Sequence, residues 1–565
     1  GPGRFRFEVL WEDTRAFPTS QPALYVAQGT SQHLMIAARG LPGHVVEGYR
    51  CHFWLPEPLE LVGATGYYNT REEQPEYTIE AAGEVAINGV PHTHYIVSAD
   101  QPIRYSQDVR ILEVFNAFFA WRDGFAPEDR DYVIHYASEA LGGSIREARR
   151  QVTVRPLPAL EGAQPERLVW QMWGSFFSNM NRADCKRLSM ATMQAAGFNN
   201  MVSGDRETSE IGGEYGIENV LSVNFEPWSI NMVPWLEEHP ETALVDRTGA
   251  ESDQYVCTTV LLADACEVMQ ESIRAQIAER RPDWVTWDFE SGVMAGYLSC
   301  FCPRCLEAFR EQAGIAANVP LDAETIEREH LPAWTEFMNR RMAEVALRMK
   351  EACHSAEPPA RLQIYSGYQS EDTKWRYGVD WAMIGELQAC DIAGCGYGRR
   401  WETVAATHEA LAGIPLIVGQ LMRPYDRNSD EAVTPLTRAV MLQRLMDCTG
   451  GVLVYDRMPM EGRSWQASAE VSRLAAAYDE VFAEGEFAGV GEAELGADWA
   501  AARALDDTMI VAMMNTSTTP RTLALTLPGG YTRCTEFFSG QPATSGEQVS
   551  LELAPGDARA WVLER

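Results

Sequence analysis

Between residues 168 and 482, short apolar stretches alternate with longer stretches of helical periodicity, and this alternation constrains the fold more than any other feature. Eight of the apolar stretches have the length and composition of buried strands. They are 168–173, 198–202, 219–224, 284–290, 362–365, 391–395, 415–420 and 451–456. Eight strand–helix units in a segment of this size predict a (β/α)8 TIM barrel, with a doubly wound open sheet as the alternative. No G-x-G-x-x-G follows the first strand, which argues against a dinucleotide site.

The segments on either side of this region have many short alternating runs separated by polar turns, which is typical of β-sandwiches. The stretch Arg155-Pro156-Leu157-Pro158, followed by Gly162 and Pro165, is interpreted as a linker. The predicted fold is therefore α/β. It has an N-terminal β-sandwich over residues 4–162, a catalytic TIM barrel over 163–485 and a small C-terminal β-sandwich over 486–565.

Two acidic residues close the fourth predicted strand, in the sequence Trp287-Asp288-Phe289-Glu290. Because they are two positions apart, their side chains should point to the same side of the strand. Catalytic groups of TIM barrels lie at the C-terminal ends of strands, and glycoside hydrolysis uses paired carboxyl groups. The sequence therefore predicts a glycoside hydrolase with Glu290 as general acid/base and Asp288 assisting it.

Polar and aromatic residues follow the other predicted strands. Each of them alone is more often a packing or hydrogen-bonding residue. Together they would form a polar and aromatic opening of the barrel that could bind a sugar. The candidate substrate-binding residues are Trp173, Glu226, Tyr365, Tyr368, Tyr397, Gln420, Tyr455 and Asp456, and Asp205 is the candidate that follows the second predicted strand.

Three cysteines follow the acidic pair with the spacing of metal ligands, in Cys300-Phe301-Cys302-Pro303-Arg304-Cys305. Structural zinc sites use four soft ligands, and Cys257 is the best fourth candidate, ahead of Cys266. Three buried free thiols are the alternative. Twelve cysteines in 565 residues are too few for a disulfide scaffold. A structural zinc ion and no organic cofactor are expected.

The stretch from Cys257 to Arg310 resembles the glycoside hydrolase family 42 β-galactosidases. The resemblance implies a barrel enzyme with Glu290 as acid/base and Cys257, Cys300, Cys302 and Cys305 as structural zinc ligands. This sequence departs from the family at two points. Phe289 stands where the family has Asn before its catalytic Glu. The family's nucleophilic Glu at strand seven is missing, because that strand ends in Val418-Gly419-Gln420 and the next acid is Asp426. The chain is therefore interpreted as a distant relative with altered chemistry.

The D-x-E ending of the fourth strand also resembles the substrate-assisted hexosaminidases of the chitinase type. In that case Asp288 would orient the substrate's acetamide. Their D-x-x-D-x-D-x-E motif is matched in part, with Asp283 at its first position and Thr286 in place of its second aspartate. Inversion, with a distant base such as Asp456, is another option.

A non-catalytic carbohydrate-binding barrel is the competing class, which Gln420 favours. A polysaccharide lyase ranks last because few histidines lie near the strand ends.

The net charge of −33 disfavours nucleic acids and anionic membranes as partners. No apolar run approaches the roughly 20 residues of a membrane span. A carbohydrate is therefore the expected partner, and homo-oligomerisation is left open. Gly1-Pro2-Gly3 resembles the remnant of a protease cleavage site, so a secreted or periplasmic location of the natural protein is an expectation only.

Overall fold

The computed structural model describes residues 15–17, 23–38, 45–66, 75–104, 112–143, 145–146, 149–174, 180–202, 205–290, 299–396, 399–421, 436–455 and 460–565. Its centre is a closed barrel of eight parallel strands, so the predicted barrel is confirmed and the open sheet is excluded. Each strand pairs with the next along the chain, and the eighth pairs with the first through Val169 and Gly451. The strands are β1 Val169–Trp173, β2 Asn200–Val202, β3 Glu218–Val223, β4 Trp284–Asp288, β5 Arg361–Ser366, β6 Ile392–Cys395, β7 Leu416–Leu421 and β8 Gly451–Tyr455.

Helices connect these strands and cover the outside of the barrel. In the described ranges, none combines the length and hydropathy needed to cross a bilayer. The helices are Ala183–Ala195, Arg206–Glu214, Val233–Glu238, Thr258–Leu261, Cys266–Arg280, Pro303–Ala313, Ala323–Thr325, Leu331–Ser355, Glu371–Tyr377, Trp381–Leu387, Trp401–Leu411, Arg438–Asp447, Gly462–Ala477 and Asp479–Glu484. Shorter turns are the π-helical Ile326–His330 and the 3-10 segments Leu141–Gly143 and Pro240–Thr242.

Side-chain caps fix where several of these helices begin. Asp205 accepts a hydrogen bond from the backbone N–H of Thr208 at 2.8 Å, and it caps helix Arg206–Glu214. Its carboxylate also lies 3.2 Å from Nζ of the buried Lys186. An N-cap aspartate satisfies backbone donors that the helix itself leaves open. The structure therefore gives Asp205, a strand-end candidate in the sequence, the role of a helix cap.

Alternate residues of the strands fill the barrel interior, as expected for this fold. An apolar cluster there contains Trp173, Val202, Val220, Trp284, Tyr365, Ile392, Ile417 and Leu453. Polar side chains connect neighbouring and opposite strands within it, because the Gln171 amide donates to Asn200 Oδ1 at 2.7 Å and to Gln363 Oε1 at 2.9 Å. Buried amides that satisfy one another in this way fix the relative rotation of the strands.

Glycines of β6 and β7 leave the space that the large interior side chains occupy. A Cβ on Gly396, directly after β6, would lie 2.0 Å from the Tyr365 hydroxyl oxygen. A Cβ on Gly394 would lie 3.0 Å from Gln363 Nε2. On β7, a Cβ on Gly419 would lie 2.7 Å from Gly396 Cα, so the two backbones approach each other closely. The inner side of this part of the barrel wall is therefore closely packed, and a side chain at position 396 or 419 would collide with it.

Two sheets precede the barrel and share one hydrophobic core, to which Leu34, Phe53 and Phe115 belong. The first sheet contains Arg15–Phe17, Ser31–Ala38, Leu112–Trp121 and Leu59–Gly66. The second contains Leu24–Ala27, Arg150–Leu157, Tyr132–Ala140, Arg50–Pro56, Val90–Ala99, Tyr77–Ile87 and the short Ile145–Arg146, while Val45–Val46 pairs with Ile103–Arg104.

The start of the predicted linker is corrected by this sheet. Residues 155–157 belong to strand Arg150–Leu157, which pairs in parallel with Leu24–Ala27 and places Pro156 opposite Val26. The buried Val152 and Val154 hold the strand in the core, and the fixed φ of proline is compatible with an extended chain. The predicted domain limits stay predictions.

The C-terminal strands form a sheet of Glu486–Ala488, Ala500–Leu505, Thr508–Met514, Ala558–Glu564 and Arg533–Glu536, beside the pair Arg521–Thr526 and Gln548–Leu553. The fully buried Arg503 fastens this sheet to the barrel. Its guanidinium donates to four carbonyl oxygens, those of Met446, Cys448, Phe482 and Gly485, at 2.6–3.3 Å. Burial lowers the pKa of Arg503 to about 10. One cation thus satisfies carbonyl groups at the C-terminal ends of two helices, Arg438–Asp447 and Asp479–Glu484.

We predict that His33 makes the protein sensitive to acid. His33 is buried against Phe118, and burial lowers its pKa from 6.5 to about 3. The unfolded chain therefore binds a proton below pH 6.5 that the folded protein excludes. The stability that this neutral histidine contributes is present above pH 6.5 and is lost as the pH falls towards 3. In calorimetric scans, His33→Leu should flatten the fall in Tm between pH 6.5 and 4. Equal slopes for the two proteins would contradict this assignment.

Candidate active site

Strand alternation places the two acids of β4 on the inner side of the barrel wall. Trp284, at the start of β4, belongs to the interior cluster, so every second residue after it faces inward. The rings of Trp287 and Phe289 stack with their centroids 4.0 Å apart and their planes 11° apart, and they therefore share the outer side. Asp288 consequently faces the inner side, and Glu290, two residues beyond the end of β4, lines the same cavity as Asp288.

Hydrogen bonds from both neighbouring strands hold the end of β4. On the β5 side, the Phe289 N–H donates to the Tyr365 carbonyl and the Ser366 hydroxyl donates to the Phe289 carbonyl, each at 2.8 Å. On the β3 side, the Asn224 amide nitrogen donates to the carbonyls of Val223 at 2.7 Å and Asp288 at 3.1 Å. The backbone that carries both acids is therefore fixed before any ligand binds, which is what preorganised catalysis requires.

A cavity of about 300 Å³ opens beside these acids, between the ends of β3 and β4. It brings three carboxylates together, those of Glu226, Asp288 and Glu290, in an aromatic surrounding. The lining residues are Asn224, Phe225, Glu226, Tyr255, Trp287, Asp288, Phe289 and Glu290. Its volume lies at the small end of the range for ligand pockets, which matches one small polar ring better than an extended chain.

Tyr255 contacts the carboxylate that faces the β4 acids. Its hydroxyl donates to Glu226 Oε1 at 3.2 Å. Burial, together with the nearby Glu226 carboxylate, raises the pKa of Tyr255 above its usual value of 10. The phenol therefore stays protonated at neutral pH and acts as a hydrogen-bond donor.

The loop that carries Glu226 is closed by its own hydrogen bonds. The N–H groups of Glu226 and Ile230 both donate to the Asn224 carbonyl at 2.9 Å, and the Asn224 N–H donates to the Ser229 hydroxyl at 3.1 Å. The same loop presents Trp228, whose surface is 76% exposed. Such exposure is unusual for the largest apolar side chain, and it places a flat aromatic face in solvent on a loop of the cavity.

Three of the predicted aromatic residues meet inside the barrel near Asp288. The Trp173 ring centroid lies 4.7 Å from that of Tyr365 and 6.1 Å from that of Tyr455. Tyr365 is also the residue of β5 that stands in register with Asp288. Trp173, Tyr365 and Tyr455 therefore line the barrel interior at the level of Asp288, and they are not among the residues that line the cavity.

Tyr368 and Gln420 take positions outside the barrel wall. Ile417 of β7 faces the interior, so Gln420 faces outward, where its Oε1 accepts a hydrogen bond from Arg444 Nη2 at 2.7 Å. Tyr368 is buried in the layer between barrel and helices, near Arg444, and burial raises its pKa. Tyr397, Asp456 and Asp426 lie outside the described residues.

Four cysteines form a compact buried group next to the active-site cavity. The sulfur atoms of Cys257, Cys300, Cys302 and Cys305 lie within 4.8 Å of one another, and Cys257 Sγ is 3.3 Å from Cys302 Sγ and 3.4 Å from Cys305 Sγ. A tetrahedral metal with bonds of about 2.3 Å would separate its sulfur ligands by roughly 3.8 Å. Number, burial and spacing of the thiols therefore fit a closed structural metal site. Cys266, the runner-up fourth ligand, is not part of the group.

No protein-family model and no curated protein matches the sequence. Solved structures resemble it weakly. A β-galactosidase from the psychrophilic Marinomonas ef1 has 14% identity and a TM-score of 0.41, covering 57% of this chain and 62% of its own. A GH42 β-galactosidase from G. stearothermophilus has 10% identity and a TM-score of 0.47, covering 71% and 99%. An α-amylase from Geobacillus thermoleovorans has 12% identity and a TM-score of 0.41, covering 71% and 98%.

The chain spans about six tenths of the length of the Marinomonas enzyme, and 59% of a haloarchaeal β-galactosidase. At these TM-scores, the evidence for the barrel is the strand pairing in the chain itself.

No sequence pattern predicts Tyr255 or Asn224 as site residues. Tyr255 lies on a hairpin of strands Ala243–Val245 and Glu251–Val256, inserted between β3 and β4. The polar sequence of the second strand hides it from periodicity arguments. The available signal was position, because Tyr255 precedes the metal-ligand candidate Cys257 by two residues.

We predict that the four-cysteine group binds one metal ion per chain. Elemental analysis of the purified protein should find about one equivalent of metal. Cys302→Ala should lose it and lower Tm by several degrees, because a closed metal site contributes directly to folding. Cys353→Ala, which alters a buried cysteine elsewhere, is the matched control and should keep the metal. Equal metal content in both variants would contradict the assignment.

Proposed function

We propose that the protein is a glycoside hydrolase that acts on a glycan or oligosaccharide at the cavity between β3 and β4. The observation that supports this most is the meeting of Glu226, Asp288 and Glu290 in one cavity with aromatic walls. Hydrolysis of a glycosidic bond needs one carboxyl group to protonate the leaving oxygen and a second to act as nucleophile or base. Glu290 is proposed as the general acid/base, with Asp288 assisting it.

Glu226 is proposed as the second carboxyl group. The family resembled by the sequence uses a glutamate at strand seven, but here that strand carries Gly419 on its inner side and Gln420 on its outer side. Glu226 reaches the same cavity from the loop after β3, so an acid pair is available without strand seven. With Glu226 in this role, Asp288 is left to orient the substrate. Retention of the anomeric configuration would make Glu226 the nucleophile, and inversion would make it the base.

Zinc is proposed as the metal of the four-cysteine group, because soft thiolates in a closed tetrahedral set favour it. It would be structural, since all four ligands come from the protein and no open position is left for substrate. No organic cofactor is proposed.

A carbohydrate-binding protein without catalysis is the second candidate. The absence of an acid on the inner side of β7 favours it. The two candidates differ in one observable, namely whether a bound glycan is cleaved.

We predict that Glu290→Gln lowers kcat on aryl glycosides by about 10²- to 10⁴-fold, because general acid catalysis contributes gains of that size. Turnover should be measured over a panel of aryl glycosides with the wild type and this variant. Exposed Glu237→Gln is the matched control and should behave as the wild type. Retained glycan binding with no turnover by the wild type would favour the non-catalytic candidate.

We predict that Trp228→Ala weakens the binding of oligosaccharide substrates. The cavity has room for a small ring, so further sugar units would extend into solvent, where Trp228 offers a face for stacking. KM for an oligosaccharide should rise about 10-fold, while kcat/KM for an aryl monosaccharide glycoside stays unchanged. Trp401 is half-buried and packs on Phe487 away from the cavity, so it is unsuitable as a control. Trp228→Phe serves instead, and it should retain most of the affinity for the oligosaccharide. An equal loss on both substrates would contradict a stacking role.

A further inference from the structure

We propose, on the basis of the glycoside hydrolase function above, that Tyr255 is a positioning residue for Glu226 and that the four-cysteine group holds Tyr255 in place. Tyr255 would orient the Glu226 carboxylate by its hydrogen bond. The metal-ligand candidates would fix the hairpin from which Tyr255 reaches the cavity. The cysteine group would thereby be a requirement for catalysis as well as for folding.

The first step rests on the surroundings of the Glu226 carboxylate. Tyr255 Oη donates to Glu226 Oε1 at 3.2 Å, and within the described residues it is the one side chain hydrogen-bonded to this carboxylate. The loop around Glu226 is ordered by backbone bonds, which fix its main chain but leave its side-chain torsions open. A single donor from a rigid aromatic side chain is therefore what selects the direction of the carboxylate.

The second step concerns the hairpin that carries Tyr255. Its strands are short, and their register is Ala243 opposite Val256 and Val245 opposite Glu251, with an irregularity between the two pairs. A two-stranded hairpin of this size is not stable alone in water. Contacts with the rest of the chain must therefore hold it, and these include contacts at its ends.

Those contacts come from the cysteine group. At the end of the second strand, the Cys257 N–H donates to the Thr242 carbonyl at 2.9 Å. At the end of the first strand, the Val245 N–H donates to Cys300 Sγ at 3.5 Å, and the Phe301 N–H donates to the Val245 carbonyl at 2.8 Å. Cys257 follows Tyr255 by two residues, while Cys300, Cys302 and Cys305 belong to the segment that follows β4.

The cysteine group therefore joins the two segments that supply the opposing acids. One side continues back through the hairpin to Tyr255 and Glu226, and the other side is the described segment from Ser299 to Cys305, which follows β4 in the sequence. A metal bound by all four thiols would fix the spacing between these segments, because its ligand distances are nearly constant.

The test of the first step is Tyr255→Phe, which removes one hydroxyl and keeps the ring. It should lower kcat by about 10- to 100-fold, as expected for loss of one hydrogen bond to a charged group, while KM, metal content and Tm stay near the wild type. Tyr531→Phe in the C-terminal region is the matched control, since its hydroxyl donates to Met509 Sδ. In a double-mutant cycle, Tyr255→Phe should have little further effect in a Glu226→Gln background.

The test of the second step removes the metal from the full-length wild type with a chelator. Hydrogen exchange should then accelerate in residues 243–256 while the barrel strands stay protected, and kcat should fall in parallel. Addition of Zn²⁺ alone should restore both. Unchanged exchange in 243–256 after metal loss would overturn the anchoring role.

The outcomes separate this inference from the function on which it depends. Wild-type kcat in Tyr255→Phe, with turnover lost in Glu290→Gln, would overturn the role of Tyr255 and leave the glycoside hydrolase intact. Additive effects of Tyr255→Phe and Glu226→Gln would also overturn it, because independent residues add. Lack of turnover of any glycoside by the wild type would overturn both.

Discussion

The alternation of side chains along the barrel strands is the constraint on which the site depends. Closing eight parallel strands into a barrel leaves each strand one inner and one outer face, so the parity of a residue decides whether it can meet a substrate. On β4, Trp284 faces inward, and Asp288 and Glu290 follow at the same parity. On β7, Ile417 faces inward, and the one polar residue near the end, Gln420, has the opposite parity.

Most of the barrel could be predicted from the sequence because buried strands and amphipathic helices leave clear patterns. Helix Arg206–Glu214 escaped prediction, since Gly212 and Gly213 lower its helix propensity and its buried face is short. Its start signal, the capping Asp205, was read as a strand-end acid instead. Strand Glu251–Val256 escaped because only Val256 of its six residues is buried, so that no apolar alternation marks it. Tertiary contacts stabilise both of these unpredicted elements.

The site residues likewise fall into those that local sequence patterns predict and those that they do not. The spacing of Asp288 and Glu290 and the C-x-C-x-x-C motif are local, and both led to groups that the structure shows to be compact. The contact of Tyr255 with Glu226 joins residues 29 positions apart through an inserted hairpin, and no local pattern reports it. Gln420 lies at a strand end that the sequence predicts correctly, but its side chain points away from the barrel interior. A shift of one residue along a strand moves a side chain to the opposite face, so locating a strand end does not give the direction of a side chain.

The glycines of β6 and β7 bear on how this barrel can change over evolution. A glutamate at position 419 would face the barrel interior near the end of β7. It would also need space that the backbone at Gly396 already fills, 2.7 Å from its Cβ. Gly396 in turn cannot move away freely, because it passes the Tyr365 hydroxyl. An acid at position 419 is therefore separated from this sequence by several coupled substitutions.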